Sequence, residues 1–140
     1  LNESFIKLLH RKMLGNIWKW AGSYRRSNKN LGIEWFRIPV EVTSLCDDAN
    51  YWIAHKTYSP DEIALRFHHR LVWIHPFANG NGRHSRIMAD LILENILDLD
   101  PFTWGESTLR DGDEMRNKYI EALHAADAGN YELLSTFARD

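Results

Sequence analysis

The sequence predicts an all-α domain, a compact helical bundle that carries one small β-hairpin flap. Apolar residues recur every three or four positions along most of the 140 residues, which is the period of a helix with one buried face. Residues 23–39 interrupt this period, and a shorter connection follows at 98–110. No internal repeat or linker divides the chain, and its length suits one hydrophobic core. We therefore expect residues 1–140 to form a single domain.

The composition narrows the possible classes of function. Hydrophobic residues make up 44% and charged residues 26%, as in ordinary soluble domains. The net charge of -2 argues against a basic nucleic-acid-binding surface. The single cysteine, Cys46, excludes an internal disulfide, and we expect a cytoplasmic protein. No apolar run reaches the roughly 20 residues of a membrane span. Because the chain starts at Leu1 and not at Met, we expect it to be part of a longer one.

The first helix is predicted to run from its N-cap, Asn2, to Ala21-Gly22. Its apolar stripe consists of Ile6, Leu9, Met13, Ile17 and Trp20. Turn-forming residues then lead into a stretch of branched and aromatic side chains, Ile33 to Ile38, which predicts a short strand or hairpin. Since this stretch is too short for a substantial sheet, we expect an isolated surface flap.

Two helices are predicted next, at about 43–56 and from Ser59 onward. The serine is a suitable N-cap, a proline follows it, and a glutamate three residues on completes a capping box. One face of this second helix carries Ile63, Phe67, Leu71 and Ile74. Pro76 and the glycines after it are expected to end the helix.

The helix predicted from Arg83 is apolar almost all round, so we expect it in the middle of the core. A connection over residues 98–110 contains a proline and a glycine. Two last helices are predicted at about 113–128 and 131–138.

The richest chemical pattern is the connection between the two central helices, which reads His75-Pro76-Phe77-Ala78-Asn79-Gly80-Asn81-Gly82-Arg83-His84-Ser85-Arg86. Gly80 and Gly82 let the backbone turn tightly and approach a ligand closely. The first N–H groups of the following helix have no internal partner, and the helix dipole adds positive charge there. The pattern therefore predicts an anion site at this helix N-terminus.

Three side chains extend that prediction. Arg83 and Arg86 stand three residues apart on one face of the first helical turn, and each offers a planar set of donors for phosphate oxygens. Together with the glycines they indicate a polyphosphate. An imidazole such as that of His75 ordinarily has a pKa of about 6.5, so it can accept a proton from an attacking hydroxyl near neutral pH. Phe77 is expected to fix the loop by inserting into the core.

Simpler interpretations exist for each residue alone. A glycine-rich turn between helices is common, a histidine at a helix end is often a cap, and two arginines can form a solvated face. The conjunction within twelve residues favours the functional interpretation. His68 and His69 are adjacent and point about 100° apart on a helix, so we expect structural histidines there and not a metal site. A metal-dependent phosphohydrolase is therefore disfavoured.

The segment resembles the signature of the Fic family, H-P-F-x-[D/E]-G-N-G-R-x-x-R, at His75, Pro76, Phe77, Gly80, Asn81, Gly82, Arg83 and Arg86. Residues 18–25 and 119–123 are similar to two further segments of that family. A looser similarity is to the group called mobile mystery protein B, which travels with a helix-turn-helix partner on mobile elements. The resemblance thus implies a Fic-type helical bundle.

The resemblance also implies an activity, the transfer of AMP from ATP, bound with Mg²⁺, to a Ser, Thr or Tyr hydroxyl of a target protein. His75 would be the base, and Arg83 and Arg86 would hold the β- and γ-phosphates. Asn81 would face the α-phosphate, and Gly80 and Gly82 would line the phosphate site. The flap residues would dock the target as an added strand, and these are Ile33, Trp35, Phe36 and Ile38.

One position departs from the family pattern. Asn79 stands where the family usually has an acidic residue that holds Mg²⁺. An amide oxygen can ligate this cation, but without the charge. This leaves open a second function, a catalytically weak or inactive module of a toxin-antitoxin-like pair that binds nucleotide or a partner.

Many relatives are silenced by a glutamate in an S/T-x-x-x-E-G/N pattern. Ser107 to Gly112 has this spacing, but Asp111 replaces the glutamate, and we interpret the stretch as a loop. An inhibitory element is therefore expected upstream of Leu1 or on a partner protein.

Overall fold

Six α-helices make up the domain in a computed structural model that describes residues 1–106 and 112–140. A single 3-10 turn precedes the second helix, and a π-helical turn follows the fourth. The helices are α1 (Glu3–Leu14), α2 (Ile38–His55), α3 (Pro60–Ile74), α4 (Asn81–Leu91), α5 (Gly112–Asp127) and α6 (Glu132–Arg139). Since no strand occurs in these two ranges, the prediction of an all-α fold is confirmed for them.

Helix α1 begins as predicted, because the side chain of Asn2 accepts a hydrogen bond from the Phe5 N–H at 2.8 Å. Its predicted end near Ala21-Gly22 was wrong, since the helix stops at Leu14. Gly15 caps it, and successive tight turns follow up to residue 23. Ile17, counted in the predicted apolar stripe, is 64% exposed for this reason.

The predicted β-hairpin flap was also wrong. Trp35–Arg37 forms a 3-10 turn, and Ile38 is already the first residue of α2. The backbone groups that a strand partner needs are taken by other parts of the chain. The Trp35 N–H donates to the side chain of Asn28 at 2.9 Å, and the Ile33 carbonyl accepts from the guanidinium of Arg25 at 2.6 Å.

Helix α3 follows the predicted start, with Ser59 accepting a hydrogen bond from the Glu62 N–H at 3.3 Å and Pro60 in the first turn. The glutamate side chain does not complete the capping box. It binds Arg66 one turn later, at 2.9 Å. The helix ends at Ile74, directly before the loop of interest.

The core lies between α3 and α4, with α1, α2, α5 and α6 around this pair. Its largest fully buried side chains include Phe67, Leu71, Phe77, Met88, Ile92 and Leu93. The helix predicted from Arg83 to lie in the middle of the core is thus buried there at Met88 in α4 and at Ile92 and Leu93 in the π-helical turn. Ile87 and Ile96 are exceptions, because they are 37% and 44% exposed on the outer side.

The last two helices close the bundle near the start of α3. Arg139 of α6 forms an ion pair with Asp61, with a distance of 2.5 Å between Nη2 and Oδ1. The predicted loop at Ser107 to Gly112 lies outside the described residues except for Gly112, which starts α5. Within the described ranges, no helix is long and apolar enough to cross a membrane.

Candidate functional site

The loop between α3 and α4 begins with a sharp reversal of the chain at His75. This residue adopts the left-handed conformation, with φ of 54°, and its N–H donates to the Leu71 carbonyl at 3.0 Å. Such a conformation is uncommon for a residue with a side chain. Pro76 follows, so the helix cannot continue. The chain thus leaves the path of α3 at His75, the first residue of the loop.

Arg25 stabilises this reversal through hydrogen bonds to the carbonyls at the end of α3. Its side chain is 4% exposed, and its guanidinium donates to the carbonyls of His75 at 2.6 Å and Ile74 at 3.2 Å. It also donates to Ser27 and Ile33, on the segment that precedes α2. Because the last carbonyls of a helix have no internal partner, a buried cation is well placed to satisfy them.

The middle of the loop is closed by Asn81. Its side-chain oxygen accepts from the Phe77 N–H at 2.9 Å, and its side-chain nitrogen donates to the Phe77 carbonyl at 2.8 Å. Phe77 itself is fully buried, as predicted. Both polar atoms of the Asn81 side chain are therefore engaged within the loop, and its predicted contact with the α-phosphate stays a prediction.

His10 supports the loop from α1. Its Nδ1 accepts from the Gly22 N–H at 2.9 Å, and its Nε2 lies 2.9 Å from the Asn79 carbonyl. Since one ring nitrogen must accept and the other must donate, the ring is neutral, and burial lowers its pKa. The ring also stacks on Phe77 with centroids 3.8 Å apart. His10 thus supports the loop as a neutral ring with both nitrogens paired.

Gly80 and Gly82 differ in whether the fold requires glycine at their positions. Gly80 has φ of 79°, and a Cβ there would lie 2.4 Å from the Leu14 side chain, so the fold requires glycine. At Gly82 a Cβ would meet no atom within 4 Å. Because internal packing does not demand this glycine, the open space beside it is available to a ligand.

A cleft of about 470 Å³ lies over the N-terminus of α4. It brings together the predicted residues His75, Asn79, Gly80, Asn81, Gly82, Arg83 and Arg86, with Ala78 and one unpredicted residue, Arg116 of α5. No carboxylate occurs among the described residues that line it. The cleft is therefore a basic, helix-terminus site of the kind that binds phosphates.

Arg86 is held in place by α5. Its guanidinium carbon lies 4.4 Å from the centre of the Tyr119 ring and 6.0 Å from that of Trp104. The Tyr119 hydroxyl is in turn 2.7 Å from Nε2 of buried His68, and the Trp104 indole N–H donates to Asp90 at 3.1 Å. These aromatic faces restrict the arginine to the cleft.

His68 and His69 have separate structural partners, as expected. His68 is completely buried against Tyr119, and burial lowers its pKa to about 3. His69 lies 2.7 Å from a carboxylate oxygen of Asp127. The two rings therefore point into different environments, one in the core and one at the surface.

Asn79 is a poor ligand for a protein-held Mg²⁺. Its side-chain oxygen already accepts from the Gly80 N–H at 2.7 Å. The residue is neutral, and the described lining of the cleft adds no carboxylate to it. Mg²⁺ prefers charged oxygen ligands, so the donor set of the described residues does not fit a dedicated magnesium site.

The four residues predicted to form the flap divide into two pairs. Ile33 and Ile38 are buried in the core, whereas Trp35 and Phe36 are 42% and 60% exposed. The exposed pair lines a second groove, with Tyr24, Arg25 and Pro39 among its other residues. A docking surface at this place would thus consist of two aromatic side chains and not of a strand edge.

The pKa of His75 is lowered by its surroundings, first by burial and then by the charges of Arg25 and Lys29. A base must be unprotonated, so activity that depends on neutral His75 is expected to persist below pH 6.5. Lys29→Gln removes one positive neighbour, raises the pKa, and should move the acid limb of kcat/KM to higher pH. Profiles of wild type and variant check this, with Lys12→Gln as a matched control. Identical acid limbs in all three would contradict it.

Sequence reasoning missed three residues of this site, namely His10, Arg25 and Arg116. None of them carries a local signal, because each acts across the fold on a segment distant in the chain. The similarity of residues 18–25 to the family pattern was a hint for Arg25, but it assigned no role. Arg116 reaches the cleft only because α5 packs beside Arg86.

The sequence and the fold are similar to those of known proteins. The model of the Fic/DOC family matches residues 1–93. The chain is 28% identical over 136 residues to "Protein adenylyltransferase Fic" of Aedes aegypti. The aligned residues make up 94% of this chain and 26% of that protein. A relative of the same name from Nematostella vectensis is 33% identical over 89 residues, 61% of this chain and 21% of that protein. The chain thus spans about a quarter of the length of these curated relatives or less.

Solved structures show the same fold. Fic-1 of Caenorhabditis elegans superimposes with a TM-score of 0.74 at 25% identity, over 99% of this chain and 40% of that one. A Fic domain containing signaling protein from Bacteroides thetaiotaomicron gives 0.75 at 27% identity, over 96% of this chain and 55% of that one.

Proposed function

This chain belongs to the Fic/DOC family, and from that membership we propose that it is a protein adenylyltransferase, which moves AMP from ATP to a Ser, Thr or Tyr hydroxyl of a target protein. Relatives that bear this name are about 28% identical over most of the chain. The chain covers only part of their length, so the activity and the target are both included in the proposal.

One observation carries the proposal most directly. His75, a base with a lowered pKa, shares a cleft with the N-terminus of α4 and with Arg83 and Arg86. A base beside a phosphate-binding helix end is the arrangement that transfer to a hydroxyl requires. Neither feature alone would distinguish this enzyme from a simple anion-binding site.

In the proposed reaction, His75 accepts the proton of the target hydroxyl. The freed oxygen forms a bond to the α-phosphorus of ATP, and the bond from that phosphorus to the bridging oxygen breaks. Pyrophosphate leaves with the electron pair. Arg83, Arg86 and the N–H groups near Gly80 and Gly82 would hold the β- and γ-phosphates, and Asn81 would keep the loop in shape.

For target docking we propose Trp35 and Phe36, since these two residues remain exposed at the groove beside the cleft. They stand in a T-shaped contact, with ring centroids 6.1 Å apart. Aromatic side chains of this kind supply much of the binding energy at protein interfaces. Ile33 and Ile38 would act indirectly, by holding the turn on the core.

The experiment that tests the function is the intact mass of candidate target proteins after incubation with the chain and ATP. A gain equal to one adenylyl group is expected, and it identifies the transferred group directly. A gain of one phosphoryl group, or of another group when a different nucleotide is supplied, would replace AMP transfer with that reaction.

The substitution Asn79→Asp is expected to raise the Mg²⁺ dependence of AMP transfer. The carboxylate can keep the acceptor contact to the Gly80 N–H and adds a negative charge that favours a divalent cation. Transfer rates of both proteins across a Mg²⁺ titration check this. Asn81→Asp is not a suitable control, because it would lose the hydrogen bond from the Asn81 side chain to the Phe77 carbonyl. If both proteins respond to Mg²⁺ alike, residue 79 does not set the metal requirement.

A second function is favoured by Asn79, namely a nucleotide-binding or partner-binding module with little or no transfer activity. The neutral side chain, engaged with Gly80, supports this alternative. The same mass measurement separates the two. ATP binding without any modified product across a broad protein mixture would support the binding module.

A further inference from the structure

One cation in the cleft comes from outside α4. Arg116 lies on α5, is exposed, and lines the cleft together with Arg83 and Arg86. It forms no ion pair with any residue in the described ranges. Three guanidiniums from two separate helices therefore face the same space.

The charge of these three arginines is not balanced by the described protein. Four arginines elsewhere on the surface each pair with a carboxylate, and these pairs are Arg37 with Glu41, Arg66 with Glu62, Arg70 with Asp48, and Arg139 with Asp61. In the cleft, by contrast, neither a pair nor a lining carboxylate occurs among described residues. Like charges that line one cleft repel each other, so a strongly anionic ligand stabilises this arrangement.

Helix α5 has a double role at this point. Tyr119 places its ring under the guanidinium of Arg86, and Arg116 stands one turn earlier on the same helix. The helix that positions the second arginine thus also supplies the third. This makes Arg116 part of a built cleft and not an isolated surface residue.

The donor set gives the chemical class of ligand. A triphosphate carries more negative charge when it is free than when it is bound to magnesium, and the three arginines can neutralise that extra charge. Asn79, by contrast, offers no charge to a cation. We propose that Arg116 is a third phosphate-binding residue, and that the three guanidiniums bind the nucleotide triphosphate without a protein-held divalent cation. This inference rests on the proposed function, because it requires the cleft to be a nucleotide site.

The test is equilibrium binding of ATP to the full chain by calorimetry, in EDTA and in Mg²⁺. We expect the two dissociation constants to agree within about threefold, since charge-assisted contacts to three arginines replace the cation. Arg116→Gln should weaken binding in EDTA about tenfold or more, as expected for the loss of one contact to a charged group. Lys118→Gln, an equal loss of charge on the same helix, should bind like wild type.

Two results would overturn the inference. One is binding in EDTA more than about tenfold weaker than in Mg²⁺, and the other is an Arg116→Gln variant that binds as tightly as wild type. In either case the adenylyl mass gain on a target still decides the proposed function by itself. Absence of ATP binding under both conditions would instead remove the proposed function. Arg116→Lys adds a check on geometry, because it keeps the charge but loses the planar fork, and intermediate affinity is expected.

Discussion

The substitution His75→Asn is expected to reduce AMP transfer about 10²- to 10⁴-fold, the usual contribution of a positioned general base. Asparagine is preferable to alanine at this position, because residue 75 has φ of 54° and asparagine tolerates this left-handed conformation. The backbone contacts to Arg25 and Leu71 can then persist. Initial rates of adenylyl transfer, measured at saturating ATP, check the prediction.

Binding provides the matched control for this variant. The phosphates are assigned to the arginines and to the N-terminus of α4, so His75→Asn should bind ATP with nearly unchanged affinity. Equal transfer rates in variant and wild type would show that His75 is not the base. A variant that loses ATP binding together with transfer would show that the histidine shapes the cleft and does not act in proton transfer alone.

The substitution Phe77→Ala is expected to lower the free energy of unfolding by about 3–5 kcal/mol, the range for removing a buried aromatic side chain. Phe77 is fully buried and contacts both His10 and His84, with ring centroids 3.8 Å and 5.1 Å away. Its loss leaves a cavity under the loop that carries the site. Denaturant unfolding followed by tryptophan fluorescence measures the change.

An exposed phenylalanine serves as the comparison. Phe36 is 60% exposed, so Phe36→Ala should change the unfolding free energy by about 0.5 kcal/mol or less. The two variants remove the same atoms and differ only in their surroundings. If they destabilise the protein equally, Phe77 does not support the loop in the way its burial indicates.

The parts of the fold that were predictable from the sequence are those set by local chemistry. Asn2 and Ser59 cap their helices through side-chain contacts three residues away, and Gly80 adopts the left-handed conformation that the turn before α4 needs. The lining of the cleft was predictable for the same reason, because its main residues lie within twelve consecutive positions. Such signals depend little on the rest of the chain.

The errors arose where specific side-chain contacts or a single cap residue overrode the local preference. Branched and aromatic side chains at 33–38 favour a strand, but the guanidinium of Arg25 occupies the Ile33 carbonyl and Asn28 occupies the Trp35 N–H. The apolar period of α1 continued past Leu14, yet Gly15 ended the helix. No spacing rule could place Arg116 in the cleft, since its position depends on how α5 packs.

The contacts of Arg25 also bear on when the site forms. Its bonds to the carbonyls of Ile74 and His75 join residues 49 and 50 positions apart in the chain. Closing a loop of that length costs conformational entropy. Tertiary packing of the helices between the two ends of the loop must offset that cost. The turn at His75 is thus completed with the tertiary structure and not before it. A nascent or partly unfolded chain would contain the signature residues without the turn that places His75, so the cleft is complete only in the fully folded chain.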